Sequence, residues 1–337
     1  MIDLLPSPDD EAIIDSVRSF ITSELPVGRF RQADWTPGDF NRWRQIANLG
    51  WFTGAEPESG LDIAAEALIF RELGRILFSP SALSTLLAAH LAKAQGLDDL
   101  AGELMDGRGH AALAYAVPVT DRGYALQIVD AHPTSLILTA DGDSFALWER
   151  TALVHRAELR PFDPTVALSA ASFTPGAQPL ARSEANTPDL LLRARVLTAA
   201  MCVGSAEASQ DLAVDYAKIR EAFGRVIGAF QAIQHQCANM AVRSEAARDQ
   251  TLMAALCVRE EMFGAEFQAA AAAIVATDAA LENAAACIQV HGGMGFTFEC
   301  EAHFHLKRAH LLKWLWDGPR AAIRRLLEPA PLYQAVA

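Results

Sequence analysis

Positively charged side chains are scarce in this sequence, and lysine is the scarcest. The 337 residues include 28 lysines and arginines against 41 aspartates and glutamates, which gives a formal net charge of -13. The lysines are Lys93, Lys218, Lys307 and Lys313. Because nucleic-acid affinity comes largely from basic side chains that displace counterions around phosphates, we expect no nucleic-acid partner. The remaining cations are arginines, which suit paired contacts to a phosphate.

The sequence also lacks a secretory leader and a long apolar run. Its first residues, MIDLLPSPDDEAI, are acidic and have neither the positive segment nor the apolar segment of a signal peptide. Hydrophobic residues make up 51% of the chain, but no uninterrupted apolar run is long enough to cross a bilayer. We therefore expect a cytoplasmic globular protein that has no membrane partner.

Paired cysteine motifs are absent. The five cysteines are Cys202, Cys237, Cys257, Cys287 and Cys300. Their odd number and the lack of CxxC spacing predict buried free thiols in a reducing compartment and no zinc site. The histidines are scattered, and His303 and His305 stand two apart on a predicted helix, where they face different ways. We expect no metal site.

The order of the predicted elements is helices, then strands, then helices. A helix is predicted to start at Ser7-Pro8-Asp9-Asp10, with further helices over Asp39 to Leu49, Leu61 to Phe78 and Ser81 to Gln95. The segments AALAYAVP, GYALQIV, TSLILTA and SFALWE alternate with turn residues and predict short strands. Thr174 to Pro188 is the predicted linker. Four long helical stretches follow, near 189–220, 230–261, 264–290 and 302–327.

This order predicts an α+β fold, because the helices and strands are segregated rather than alternating. We expect an N-terminal helical domain over 1–109, a small β-barrel-like middle domain over 110–175 and a C-terminal four-helix bundle over 188–330.

Two segments of the C-terminal region are candidates for binding chemistry. The first, from Tyr216 to His235, ends one helix, turns at glycines and starts another. Its Arg220 offers a fork of N–H donors to an anion, and Phe223 and Gln231 offer an apolar wall and an amide. An ordinary interhelical turn with an exposed arginine would give the same pattern.

The second segment, Gln289-Val-His-Gly292-Gly293-Met-Gly295-Phe296, places glycines after a long alanine-rich helix. Such glycines end helices, and they also let a backbone approach a phosphate closely. The cluster lacks the preceding strand that a Rossmann phosphate loop requires.

Taken together, the two segments resemble the acyl-CoA dehydrogenase family. That family carries Y-x-x-x-R-x-x-F-G-x-x-I-x-x-F-Q-x-x-Q and, further on, Q-x-x-G-G-x-G-[YF]. The matching positions are Tyr216, Arg220, Phe223, Gly224, Ile227, Phe230, Gln231, Gln234, Gln289, Gly292, Gly293, Gly295 and Phe296. Leu49-Gly50-Trp51 and the Glu66 to Gly74 segment resemble the family's N-terminal "LG-W" and "E-ELG" stretches.

The resemblance implies a flavoprotein that binds FAD across a subunit interface. Arg220, Phe223, Gln289, Gly292 and Gly293 then contact the ADP half of a neighbouring subunit's FAD. The implied reaction oxidises an acyl-CoA thioester at Cα–Cβ. An acyl-CoA oxidase or a flavin monooxygenase on the same fold is a further alternative.

The sequence departs from the family at two places. The T-E-P-x-x-G-S-D strand and loop, which hold the flavin ring, correspond to a stretch in which only Pro118 matches. The catalytic base is a glutamate of a Y-E-G segment in many members, and here the comparable residue is Asp317, one position later than the best register. In other members the base lies on the helix before the tyrosine, where this chain has Ala194.

Short chains with these losses are similar to the smaller subunits of heterotetrameric acyl-CoA dehydrogenases that degrade steroid side chains. The resemblance therefore implies a hetero-oligomer with a full-length subunit, a homo-oligomer being the alternative. In the first case the chain either oxidises acyl-CoA within the complex or is a catalytically silent subunit that completes the partner's FAD site.

Asp317 is the candidate catalytic base, and capping the helix at Gly318-Pro319 is its competing role. Asp317→Asn keeps a capping side chain but removes the basic carboxylate. If Asp317 is the base, turnover of the assembled complex falls several hundredfold while FAD stays bound, because a misplaced or missing base costs orders of magnitude in rate. Unchanged turnover would place the base on another chain.

Overall fold

A computed structural model describes residues 7–32, 35–36, 43–117, 126–142, 144–183, 190–316 and 318–327. The helices are α1 (Pro8–Glu24), α2 (Trp43–Asn48), α3 (Ile63–Arg75), α4 (Ser81–Ala94), α5 (Asp98–Met105), α6 (Leu190–Ile219), α7 (Gln231–Arg259), α8 (Ala265–His291), α9 (Ala302–Lys313) and α10 (Gly318–Leu327). The strands are β1 (Ala111–Ala116), β2 (Leu126–Val129), β3 (Leu136–Asp141), β4 (Ser144–Trp148), β5 (Leu153–Leu159), β6 (Leu168–Phe173), β7 (Ala181–Arg182), β8 (Glu221–Ala222) and β9 (Arg225–Val226).

The chain forms two compact units whose segments alternate along the sequence. One unit, the bundle unit, gathers the described residues of Met1–Ala33, Ile63–Phe78 and Arg195–Ala337. The other, the sheet unit, gathers those of Asp34–Asp62 and Ser79–Ala194. The α+β class with helical N- and C-terminal parts is confirmed, whereas the boundaries 1–109, 110–175 and 188–330 stay a prediction.

The sheet unit contains a seven-stranded mixed sheet in the order β5-β6-β2-β1-β3-β4-β7. Only the β1–β3 pair is parallel among the strand pairs of the described residues. The order leaves β5 and β7 at opposite ends, so over the described ranges the β middle part is an open mixed sheet and not a closed barrel. β7 lies inside the segment predicted as a linker and pairs with β4.

Helix α4 packs on this sheet through hydroxyl groups as well as apolar side chains. Ser84 Oγ donates to Ala111 O at 2.6 Å, and the Ala111 N–H donates to Thr85 Oγ1 at 2.9 Å. Because these backbone groups lie at the start of β1 and are buried, an unpaired donor or acceptor there would cost stability. The two hydroxyls therefore fix where β1 begins.

In the bundle unit, α1 starts where the sequence predicts. Ser7 and Asp10 form a reciprocal capping box, and Pro8 is the first helical residue. Arg18 on α1 makes two 3.0 Å bonds to the buried Glu72 of α3. This forked contact fixes α1 on α3.

The last predicted helical stretch, 302–327, is two helices rather than one. Helix α9 ends at Lys313 and α10 begins at Gly318. Between them Trp316 has a left-handed backbone, with φ 55°, and its Nε1–H donates to Thr198 Oγ1 at 2.8 Å. The Asp-Gly-Pro sequence is a helix start, which explains the interruption; Asp317 itself lies outside the described residues.

All five cysteines are free thiols, and four of them are buried as predicted, whereas Cys237 is part-exposed. One segment, Ala265–Phe296, is long and apolar enough to span a membrane by length and composition. Half of its most apolar window is buried inside the protein. A core helix passes the same test, because close alanine packing makes it apolar on several faces.

His305 makes the bundle unit sensitive to acid. Burial, with Arg308 and Arg75 nearby, lowers the pKa of this fully buried histidine to about 3. In the unfolded chain His305 takes up a proton near its usual pKa of about 6.5. The contribution of neutral, buried His305 to the free energy of unfolding is therefore complete above a pH of about 6.5 and is lost as the pH falls towards about 3. We expect His305 to contribute a slope of about 1.4 kcal/mol per pH unit in this window.

The check is urea unfolding at several pH values for His305→Asn, which can still bond Ser205, and for His310→Asn on the exposed side of α9. The slope should flatten in the first variant only. An unchanged slope in His305→Asn would contradict the prediction.

Candidate functional site

The segment after α6 forms a tight hairpin that displays an aromatic ring. Strands β8 and β9 pair, and the two residues between them, Phe223 and Gly224, both have left-handed backbones with φ 54° and 78°. Glycine adopts this conformation freely, but for phenylalanine it is an outlier. Phe223 is nevertheless 94% exposed. Strain stored at an exposed aromatic is typical of a binding site.

The backbone of this hairpin is firmly held. The Ile227 N–H donates to Arg220 O at 2.7 Å, and the Arg220 N–H donates to Tyr216 O at 2.9 Å. Gln234 Nε2 donates to Gly228 O at 2.9 Å, so Gln234 serves the turn rather than a ligand. The Arg220 side chain itself is exposed and has no hydrogen-bond or ion-pair partner within the described ranges. It is an anchored cation with its donors available.

The glycines of the second segment differ in what favours glycine at each position: the backbone conformation, close neighbours or open space. Gly292 ends α8 with φ 62° and ψ -137°, a conformation that favours glycine. A Cβ on buried Gly295 would lie 2.5 Å from Ile288 O, so its neighbours exclude a side chain. Gly293 has an ordinary φ, and a Cβ there would meet no atom within 4 Å. No described residue excludes a side chain at Gly293. A ligand that approached this backbone closely would exclude one.

A ring stack brings the two segments together. The rings of Tyr216 on α6 and His291 on α8 lie 4.2 Å apart at an interplanar angle of 23°. Beneath them a buried apolar cluster includes Ala217, Met240 and Ile288, from α6, α7 and α8. The structure therefore places Arg220 and the glycine loop at the same end of the bundle unit.

All six binding residues predicted from the sequence are exposed: Arg220, Phe223, Gln231, Gln289, Gly292 and Gly293. A guanidinium fork, amides and an aromatic ring are groups that bind the pyrophosphate and adenosine of a dinucleotide. The Gly292 N–H already donates to Gln289 O, whereas a Cβ at Gly293 would stand in open space, so a ligand has room to approach the backbone there. The residues present thus fit the ADP half of FAD.

His291, for which the sequence predicted no functional role, has a shifted pKa and also shifts the pKa of Cys300. Burial lowers the pKa of His291, but hydrogen bonds to Cys300 and to the Cys287 carbonyl outweigh it, and the net direction is upward. For Cys300 burial acts in the opposite direction and raises the pKa. The bond to His291 lowers it by more, so the net direction is downward. The signal available from the sequence was the position of His291, directly before Gly292.

The structure describes only one of the candidate catalytic positions, that of Ala194. Ala194 on α6 is fully buried and cannot accept a proton. Asp317 and the segment around Pro118 lie outside the described residues. Of the aromatics near Asp317, Trp314 is exposed and Trp316 is buried, and Trp316 lines a cavity of about 220 Å³ together with Thr198 and Ile274.

Comparison with known proteins matches both ends of the chain to family models. Residues 7–99 match "Acyl-CoA dehydrogenase, N-terminal domain", and residues 187–328 match "Acyl-CoA dehydrogenase, C-terminal domain". Acyl-CoA dehydrogenase IpdE2 of Mycobacterium tuberculosis is 33% identical, covering 96% of this chain and 98% of that protein. Acyl-CoA dehydrogenase FadE34 of the same organism is 32% identical over 86% of this chain but 42% of its own length.

The fold is shared with solved structures. The ChsE4-ChsE5 complex from Mycobacterium tuberculosis contains a chain that matches with a TM-score of 0.75 at 19% identity, covering 96% of this chain and 98% of that one.

The glycine geometry predicts that two neighbouring substitutions separate binding from folding. Gly295→Ala should destabilise the protein by about 1–3 kcal/mol, the usual range for overpacking, because the new methyl group meets the backbone of Ile288. Gly293→Ala should leave the unfolding midpoint unchanged but weaken ADP binding, because its methyl group fills the space over the loop. Urea unfolding and ADP titration of both variants provide the check, and unchanged ADP affinity in Gly293→Ala would contradict a close approach of the ligand to this backbone.

Proposed function

The chain belongs to the acyl-CoA dehydrogenase family of flavoprotein oxidoreductases, and from this premise we propose that it is a subunit of an FAD-dependent acyl-CoA dehydrogenase. The proposed reaction oxidises an acyl-CoA thioester at Cα–Cβ to the 2-enoyl-CoA. The observation that carries the proposal is the exposed, convergent pair of segments joined by the Tyr216–His291 stack. Electrostatics agree, since the chain is acidic overall and Arg220 offers a fork that no described residue pairs with.

Bound FAD would supply the hydride acceptor for oxidation at Cβ, and a carboxylate would be needed to remove the α-proton. The residues of this chain would hold the other end of the cofactor. Arg220 would bind the pyrophosphate through paired donors, and the exposed backbone at Gly293 would let it approach closely. Phe223 covers the nucleotide, and Gln231 and Gln289 supply amides to its polar edge.

We propose that the flavin belongs to a neighbouring subunit and that this neighbour is a full-length acyl-CoA dehydrogenase. The length comparison supports a partner: in FadE34 the part that resembles this chain is less than half of a longer protein. The chain matches a component of a two-protein assembly, ChsE4-ChsE5, over nearly its full length. By the same resemblance the substrate class is a lipid or steroid acyl-CoA.

The first test is the loss of FAD from Arg220→Ala. Hydrogen bonds to charged groups contribute about 1.5–3 kcal/mol each, so FAD affinity should fall at least tenfold. Arg220→Lys should recover only part of it, because an ammonium group cannot reproduce the fork. Arg248→Ala is the matched control, since Arg248 is a part-exposed arginine of α7 whose charge is paired with Glu245. Flavin absorbance per chain and FAD titration give the measurement, and full flavin retention in Arg220→Ala would refute the assignment.

A catalytically silent subunit is the second candidate function, favoured by Ala194, which is an alanine at one of the family's two base positions. Such a subunit predicts two FAD per four chains in the assembled complex and no turnover by this chain alone. The check is light scattering, flavin absorbance and activity assays of each chain separately and together. One FAD per chain in an active homo-oligomer would exclude it.

A further inference from the structure

The stack between Tyr216 and His291 joins the segment of Arg220 to the glycine loop, the two elements that would contact one phosphate in the proposed FAD site. Tyr216 lies one helical turn before Arg220, and its carbonyl accepts the Arg220 N–H at 2.9 Å. His291 directly precedes Gly292, the first residue of the glycine loop. With ring centroids 4.2 Å apart, a shift of either ring moves one anion-binding element relative to the other.

The ring of His291 is itself fixed from two sides. Its Nδ1 lies 2.8 Å from Cys287 O. Since a carbonyl oxygen only accepts, Nδ1 carries a proton, and the tautomer and the ring orientation are set. The stack on Tyr216 holds the face of the ring. His291 is therefore held in one orientation at the start of the glycine loop.

We propose that the Tyr216–His291 stack is a positioning element that sets the spacing between Arg220 and the Gly292–Gly293 backbone, so that both reach the same nucleotide phosphate. The proposal rests on the FAD site proposed above. Binding constellations lose affinity when their groups shift by about half an ångström, so a rigid spacer between two elements of different helices has a function beyond packing. Neither ring needs to touch the nucleotide for this role.

Matched substitutions from both sides of the stack test the role. His291→Phe and Tyr216→Phe keep two aromatic rings, whereas His291→Leu and Tyr216→Leu remove the stack. We expect Tyr216→Phe to bind FAD and ADP within about twofold of the unchanged protein, and the leucine variants to bind about tenfold more weakly, consistent with the size of aromatic-pair effects. His291→Phe keeps the ring but loses the Nδ1 bond to Cys287 O, so its affinity should lie between these limits. The full chain, stripped of flavin, is titrated with each ligand, and circular dichroism monitors the fold.

A double-mutant cycle with Arg220→Ala separates positioning from general structural damage. If the stack acts by placing Arg220, His291→Leu has little further effect once Arg220 is alanine, because interacting sites are non-additive. Equal losses in both backgrounds, or equal losses in the phenylalanine and leucine variants, would overturn the positioning role while leaving the FAD site intact. Unchanged affinity in Arg220→Ala alone would instead overturn the FAD site itself and this proposal with it. Tyr216→Leu reports on the same stack if His291→Leu fails to fold.

Discussion

The close crossing of α3 and α6 is the contact on which the bundle unit depends. A Cβ on Gly74 of α3 would collide with the Met201 backbone, and a Cβ on Gly204 of α6 would collide with the Arg71 backbone. The two helices therefore touch at a pair of glycines. Arg71 and Arg75 bind Glu207 beside this crossing, at 2.8 and 3.1 Å, and these part-buried ion pairs set the rotation of α6 about its axis. Because Tyr216 lies further along α6 and Arg220 directly follows the end of this helix, the crossing determines where they point.

A single amide then aligns α6 with its two long neighbours. The buried Asn283 of α8 donates through Nδ2 to Ala206 O, Met240 O and Ser244 Oγ, and its Oδ1 accepts from Arg243 Nε. Fully satisfied, such a buried polar group favours one register of the helices over its alternatives. The register matters because His291 is two turns beyond Asn283 on the same helix. The stack on Tyr216 is possible only if α6 and α8 keep this alignment.

Local signals in the sequence were enough for much of the fold and for the residue types of the site. The capping box at Ser7 predicted the start of α1, and the glycine turns predicted the ends of α6 and α8. Strand β5 was missed because four of its seven residues are polar or alanine, and β7 because it has only two residues. The role of Asn283 could not be recognised, and for His291 only its position before Gly292 was visible, since both lie on the alanine-rich α8 and their roles arise from contacts between distant segments.

Two aromatic residues with left-handed backbones show how strain is distributed in this molecule. A bulky residue in this conformation costs about 1–3 kcal/mol, so each needs compensation. Trp316 is 8% exposed and its indole donates to Thr198, which offsets the cost within the protein. Phe223 is 94% exposed, and its one described ring contact is an edge-on approach to Phe230 at 6.1 Å. A smaller or more flexible residue at position 223 would make the same turn at lower cost. The proposed contact of this ring with the ADP half of a neighbouring subunit's FAD, next to the donors of Arg220, would account for a phenylalanine at this position.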